Sequence, residues 1–267
     1  MRIREGFMRY ILVVDPAVGS VQLDALNALA RLLAELGEEA CLYTIALEQG
    51  KRRLRDLLLE KRVETQFLKD FCETAALKGC SIANCEQVSQ RPCEAICVSD
   101  IAGIVSLGSD GNVTEDLPWM RSLASDLRPL LFEHKIPFYG SCFSHQLIAW
   151  MMGSKVDFLK ERAKNPELMH KGARDVRIVH PKLAALFGKK ESFPVATLPI
   201  WHAQEVWDIP DGFELGATSD VCEIEGLVHS SLPIFSLQAH PEWFHGSGAG
   251  WVFLKNFLSL ALRNGAS

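Results

Sequence analysis

The chain has 267 residues, 48% hydrophobic and 23% charged, with 19 Gly and 12 Pro, so wholesale disorder and collagen-like repeats are excluded. A formal net charge of −5 argues against a protein that holds nucleic acid by neutralising phosphates. No apolar run approaches the roughly 18 residues needed to span a bilayer, and the apolar stretch at 10–14 is cut off by Asp15 and Pro16, unlike a signal-peptide core.

In chain order, residues 10–14 (Tyr-Ile-Leu-Val-Val) predict a first strand that is apolar throughout because both its faces are covered. Residues 21–36 carry Leu23, Leu26, Leu29, Leu33 and Leu36 at helical spacing, with Gly37 as a stop. A second strand is expected at 40–46. Residues 48–94 fit poorly into a minimal alternating fold. The part at 51–79 is helical and highly charged, with an apolar face of Leu54, Leu57, Leu58, Phe67, Leu68 and Phe71. We read 48–94 as a helical insertion at the sheet's edge. Further strands are expected at 95–98, 103–107 and 136–139, and helices at 119–134 and from Cys142 to about Gly153. The second half carries shorter strands at 175–179, 193–197, 213–218, 225–229 and 234–238, and a last helix at 250–262 closes the chain. This alternation predicts a single α/β domain over 1–267, with a doubly wound, mostly parallel sheet flanked by helices.

The eight cysteines (Cys41, Cys72, Cys80, Cys85, Cys93, Cys97, Cys142 and Cys222) are too dilute for a disulfide-stapled secreted scaffold. Reduced thiols in a cytoplasmic protein are expected. Five of the eight crowd into 72–97, but no two have the Cys-x2-Cys spacing of structural zinc sites, so no metal and no cofactor are expected.

The strongest local signal is Ile136-Pro137-Phe138-Tyr139-Gly140-Ser141-Cys142-Phe143-Ser144-His145-Gln146. A hydrophobic strand runs through small residues and a thiol directly into a helix, the pattern of a nucleophile elbow. The sharp turn requires small residues two before and two after the nucleophile, and Gly140 and Ser144 meet that demand. The elbow also puts Cys142 at a helix N-terminus, where free N–H groups and the dipole favour thiolate, and it aims the Phe143 N–H at a developing oxyanion. A free cysteine is more commonly just a small buried hydrophobe, so the elbow alone leaves both roles open. A second signal lies about a hundred residues on, where Gln238-Ala239-His240-Pro241-Glu242 ends a strand. In an extended chain residues i and i+2 project to one side, so Glu242 could orient and charge-stabilise the His240 imidazole.

With these residues in place, Gly140-Ser141-Cys142-Phe143-Ser144-His145-Gln146 resembles the Gly-x-Cys-x-Gly-x-Gln motif of the class I, triad-type glutamine amidotransferases, and Ala239-His240-Pro241-Glu242 resembles that family's His-Pro-Glu end. Between them, 200–206, 209–213 and 217–219 are similar to the family's His-Gly-Asp…Pro-x-Gly…Ala-x-Ser stretch. Upstream, Gly103–Asp110 takes the place of its Gly-Gly-Pro loop, and Glu115–Trp119 is similar to its Glu-Asp-Pro-Trp. The resemblance covers about 95–245 and implies a flavodoxin-like α/β domain that hydrolyses the glutamine side-chain amide through a γ-glutamyl thioester on Cys142. It implies His240 as proton carrier, Glu242 as its holder, Gly108 and Phe143 as oxyanion donors, with Ser109 in the same loop, and Gln146 as a contact to bound glutamine. The sequence departs from the family at Ser144 (for the second elbow Gly), at Ser109-Asp110 (for Gly-Pro) and at Ala203-Gln204 (for Gly-Asp). Asp110 is expected to place a negative charge near the entry, and His202 to support the site or simply to end a strand.

No glycine-rich phosphate loop is present. The expectation is therefore a free-standing glutaminase that passes ammonia to a separate synthetase partner, without nucleic acid or membrane contacts. Two alternatives stay open on sequence: a γ-glutamyl peptide hydrolase, and a non-catalytic amidotransferase-like binding or regulatory protein.

Overall fold

The computed structural model describes residues 9–16, 22–36, 40–46, 98–189, 194–243 and 248–264. The insertion expected at 48–94, with its cysteines, and residues 95–97 of the strand expected at 95–98 lie outside these residues. Val98 itself belongs to a short 3-10 turn, Val98–Asp100.

The parallel half of the sheet comes from β1 (Arg9–Asp15), β2 (Ala40–Ala46), β3 (Ile101–Ser106), β4 (Phe138–Ser141) and β11 (Ile234–Leu237). Their spatial order is β2-β1-β3-β4-β11, every neighbouring pair parallel. In β1, β3, β4 and β11 the two-residue period sorts buried apolar side chains between two cores. Ile11, Val13, Val105, Tyr139 and Leu237 join one cluster, and Leu12, Val14, Ile104, Phe138 and Ile234 the other.

Helices α1 (Leu23–Leu36) and α5 (Gly248–Asn264) cover the first face. Phe253, Leu254, Phe257, Leu258, Ala261 and Leu262 of α5 are buried at i, i+3 and i+4 spacing, as a helix needs when one stripe faces a sheet. Helices α2 (Pro118–Phe132) and α3 (Phe143–Met151) cover the other, through Met120, Leu123, Leu127 and Leu131 of α2 and Leu147 and Ile148 of α3. Pro118 opens α2 at a position where a missing N–H costs nothing.

The second half of the chain departs from simple alternation. Beyond β11 the sheet continues with every pairing antiparallel, through β10 (Gly226–His229), β9 (Phe213–Thr218), β6 (His170–Ile178) and β7 (Val195–His202). The nine strands therefore form one mixed sheet whose parallel half carries the helices expected from sequence. β6 and β7 begin or end five residues away from the expected strands at 175–179 and 193–197. The hairpin's outward side is polar (Lys171, Asp175, Arg177), and Arg174 interrupts the inward side, so the hydrophobic pattern understates its length. Short α4 (Pro181–Leu186) and the two-stranded pair β5 (Val156–Phe158) and β8 (Gln204–Val206) were not expected at all. Strands this short leave too few residues for a period to register.

Candidate functional site

The site sits at the C-terminal ends of the two middle strands, β4 and β11, which pair in parallel from Ile234–Phe138 to Leu237–Ser141. In parallel α/β sheets this rim is where ligands bind. Cys142 follows β4 immediately and caps α3, with φ 47° and ψ −106°. A side-chain-bearing residue at that φ is strained and persists only where its surroundings enforce it. Here the Cys142 N–H donates to Leu237 O at 2.8 Å, fastening the turn to the neighbouring strand.

The steric demand of the elbow is visible in the atoms. A Cβ on Gly140 would stand 2.8 Å from Phe138 Cε1 and 3.2 Å from Ser144 Cβ, so the position has room for hydrogen only. Ser144 fits in place of the family's glycine because its hydroxyl is used: Oγ donates to Leu107 O at 2.7 Å and lies 2.7 Å from Ser106 Oγ. That substitution pins the elbow to the end of β3.

The loop after β3 brings Gly108 against the same centre. A Cβ there would stand 2.7 Å from His240 Cε1 and 3.4 Å from Cys142 Cβ. Gln22, whose Nε2 donates to Gly108 O at 2.8 Å and whose N–H donates to the Asp15 carboxylate at 2.8 Å, anchors the loop from below. Ser109 turns its hydroxyl away to donate to Pro16 O at 2.8 Å and to accept from the Gly111 N–H, so its side chain shapes the loop. Asp110 is exposed on this loop.

His240 and Glu242 are held together, though not by the geometry the sequence suggests. β11 ends at Leu237, and Pro241–Trp243 form a 3-10 turn. Across that turn, rather than along an extended chain, His240 Nδ1 meets Glu242 Oε1 at 2.8 Å. The pair is 3% and 1% exposed. Ser141 Oγ donates to Glu242 Oε1 at 2.8 Å, and Tyr139 Oη donates to Oε2 at 3.5 Å. The His240 N–H donates to Pro199 O at 2.8 Å, and the Trp243 ring stacks on the imidazole at 3.8 Å between centroids. Burial alone would push the imidazole pKa down. The neighbouring Cys142 sulfur and the Glu242 carboxylate outweigh it and raise the value to about 10. Both neighbours therefore favour the imidazolium form of His240.

Phe143 stacks on Trp119 at 5.4 Å, fixing the first turn of α3. Gln146 lies one helical turn beyond Cys142, and its Nε2 donates to Gln204 O (2.8 Å) and Gln238 Oε1 (3.0 Å). His202 ends β7 with Nδ1 2.9 Å from Gln204 O, and burial lowers its pKa to about 4, so it is neutral. The structure therefore gathers Gly108, Cys142, His240 and Glu242 at one point, with Gln146 reached through Gln238. Sequence reasoning missed Ser141, Tyr139, Trp243 and Gln238. Ser141 and Tyr139 share a strand period of two leading up to the thiol, and Gln238 and Trp243 bracket the His-Pro-Glu motif; adjacency to those motifs was the available signal. Among the described residues no group of three or more His, Cys, Asp or Glu side chains is arranged to hold a metal ion, and no helix is long and apolar enough to cross a membrane.

A strained cysteine at a helix N-terminus beside a buried imidazole–carboxylate pair has the groups that thiol-dependent acyl transfer uses. The family model of the class-I glutamine amidotransferases matches residues 77–260, and the chain belongs to that family, as a glutaminase-type enzyme. Similar relatives include a Thermoplasma acidophilum protein named as one of the subunits of glutamine-hydrolyzing GMP synthase, 30% identical over 160 residues, 59% of this chain and 71% of that one. The same-named protein of Thermoplasma volcanium is 29% identical over 210 residues, 78% of this chain and 85% of its own. The crystal structure of a GMP synthase component from T. acidophilum superposes with a TM-score of 0.60 at 21% identity, covering 97% of each chain, which shows a shared fold.

Proposed function

We propose that the chain hydrolyses the side-chain amide of glutamine to glutamate and ammonia with Cys142, His240 and Glu242 as its catalytic triad, and hands the ammonia to a separate synthetase partner. One observation carries the reading: Cys142, at the strained elbow, neighbours a His240 ring whose Nδ1 lies 2.8 Å from the buried Glu242 carboxylate. The thiolate attacks the amide carbonyl, and the oxyanion is held by the N–H groups of Phe143 and Gly108. His240 gives its proton to the departing nitrogen, so ammonia leaves and a γ-glutamyl thioester remains. The now neutral imidazole takes a proton from water, whose hydroxide cleaves the thioester. Glutamate departs and the thiolate–imidazolium pair is restored. Glu242 holds the ring and compensates its charge, and Gln146 with the 108–109 loop lines the glutamine site. The synthetase partner is supported by the similarity to chains named as subunits of a glutamine-hydrolyzing synthase.

The test is ammonia release from glutamine by the purified protein, alongside labelling with a glutamine-mimicking alkylating agent. Cys142→Ala should abolish turnover, and the label should sit on Cys142. Faster release of amine from γ-glutamyl dipeptides than of ammonia from glutamine would identify a peptide hydrolase instead. Silence with both substrates and no label would leave a binding protein.

A further inference from the structure

Gln238 is fully buried at the end of β11, and its side-chain amide has a fixed sense. The backbone carbonyl Gln204 O can only accept. It takes a hydrogen bond from Gln146 at 2.8 Å, so the Gln146 atom facing it is the nitrogen. The same nitrogen lies 3.0 Å from the Gln238 side chain, which must therefore present its oxygen there. That leaves the Gln238 nitrogen on the other side, 3.6 Å from Cys142 Sγ. The sulfur thus has an N–H donor on one side and, at 3.5 Å, the Trp201 carbonyl on the other.

We propose that Gln238 is a positioning residue of the reaction: its amide, locked through Gln146, holds an N–H on the Cys142 sulfur and favours the charged thiolate. This inference rests on the reading of Cys142 as the nucleophile. A neutral donor suits both halves of such a cycle, because thiolate is the attacking species in acylation and the leaving group in deacylation. The relay also joins two functions, since the residue that fixes the amide, Gln146, is the one assigned to the substrate. Other titratable groups face the sulfur or its base: His240 and Glu242 from the turn after β11, Tyr139 from β4 and His202 from β7. The variants below leave all four unchanged.

Two substitutions separate the roles. Gln238→Met keeps the length and volume but has neither donor nor acceptor, whereas Gln238→Glu keeps an acceptor for Gln146 and puts oxygen in place of the N–H. The rate of iodoacetamide alkylation of Cys142 is followed from about pH 5 to 10 by peptide mass, with kcat and KM for glutamine measured beside it. The alkylation midpoint should rise by about one pH unit in Gln238→Met and by at least as much in Gln238→Glu, with kcat down by about tenfold or more. KM should stay near the parent value in Gln238→Glu, where Gln146 keeps its partner. A midpoint unmoved in either folded variant overturns the proposal, because loss of packing alone lowers activity without moving it. If the glutamine-mimicking agent fails to label Cys142 in the parent protein, the functional reading itself has failed. Labelling with an unmoved midpoint sinks only the role of Gln238.

Discussion

Replacing Glu242 by Gln tests the electrostatic core of the site with little change of shape. The carboxylate is 1% exposed and accepts from His240 and Ser141 at 2.8 Å and from Tyr139 at 3.5 Å. A glutamine there can still accept from the His240 ring, and its NH2 can donate to the Tyr139 or Ser141 oxygens, so the fold should tolerate the exchange. What is lost is the charge opposing the imidazolium. Hydrogen bonds to charged partners contribute about 1.5–3 kcal/mol, which converts to a fall in kcat of about 10- to 150-fold. The pH profile supplies a sharper signature. The His240 pKa is raised from 6.5 to about 10, so activity that needs imidazolium beside thiolate persists until an alkaline limb near that value. Without Glu242 that limb should move to lower pH. The same group affects stability. Its folded value lies above the unfolded one, so its contribution is complete below pH 6.5 and fades as pH rises towards 10. Glu242→Gln should flatten that decline. The assay is initial-rate ammonia release from glutamine between about pH 6 and 10.5, with urea midpoints across the same range. An unchanged alkaline limb together with an unchanged kcat would refute the assignment of Glu242 as the partner of the imidazolium.

Gly108→Ala would put a Cβ 2.7 Å from His240 Cε1, and displacing the base in this way should cost about a hundredfold in kcat with little change in Tm. Ser144→Ala leaves the Ser106 hydroxyl and Leu107 carbonyl without their buried partner, which should lower unfolding free energy by about 1–3 kcal/mol in denaturant titrations. Glu225 is buried away from the triad, and desolvation raises its pKa from 4.5 to about 7. Its folded value exceeds the unfolded one, so stability is lost as pH rises from about 4.5 to 7. Glu225→Gln should remove that loss and raise stability at about pH 8 by about 3 kcal/mol, as read from urea midpoints.

Strands β1 and β3 are legible in sequence because they are buried and read as nearly unbroken apolar runs. The strands at 40–46 and 213–218 match the observed bounds residue for residue. The elbow is legible for a steric reason: only small residues fit at 140 and 144, and few other contexts demand that pattern around a thiol. The supporting groups are harder to read. Tyr139, Ser141 and Gln238 look like ordinary strand residues until the pairing of β4 with β11 sets them around one carboxylate and one sulfur. The His240–Glu242 contact was expected for the right partners and the wrong backbone, because Pro241–Trp243 fold into a 3-10 turn instead of continuing extended from β11.

Cys142 and His240, the nucleophile and base proposed above, follow neighbouring strands at the centre of the sheet, yet about a hundred residues separate them along the chain. Until β11 slots in beside β4, a growing polypeptide carries the thiol but has no imidazole to arm it. The antiparallel strands between them are made first, so the site is completed only after β11 has been made and has paired with β4, a long-range pairing that is slow to form. Once formed, that pairing is reinforced by the Cys142 amide, itself bonded across the seam to Leu237. Hydrolytic competence and the integrity of the sheet should therefore disappear together on unfolding, leaving no folded but inactive intermediate in between.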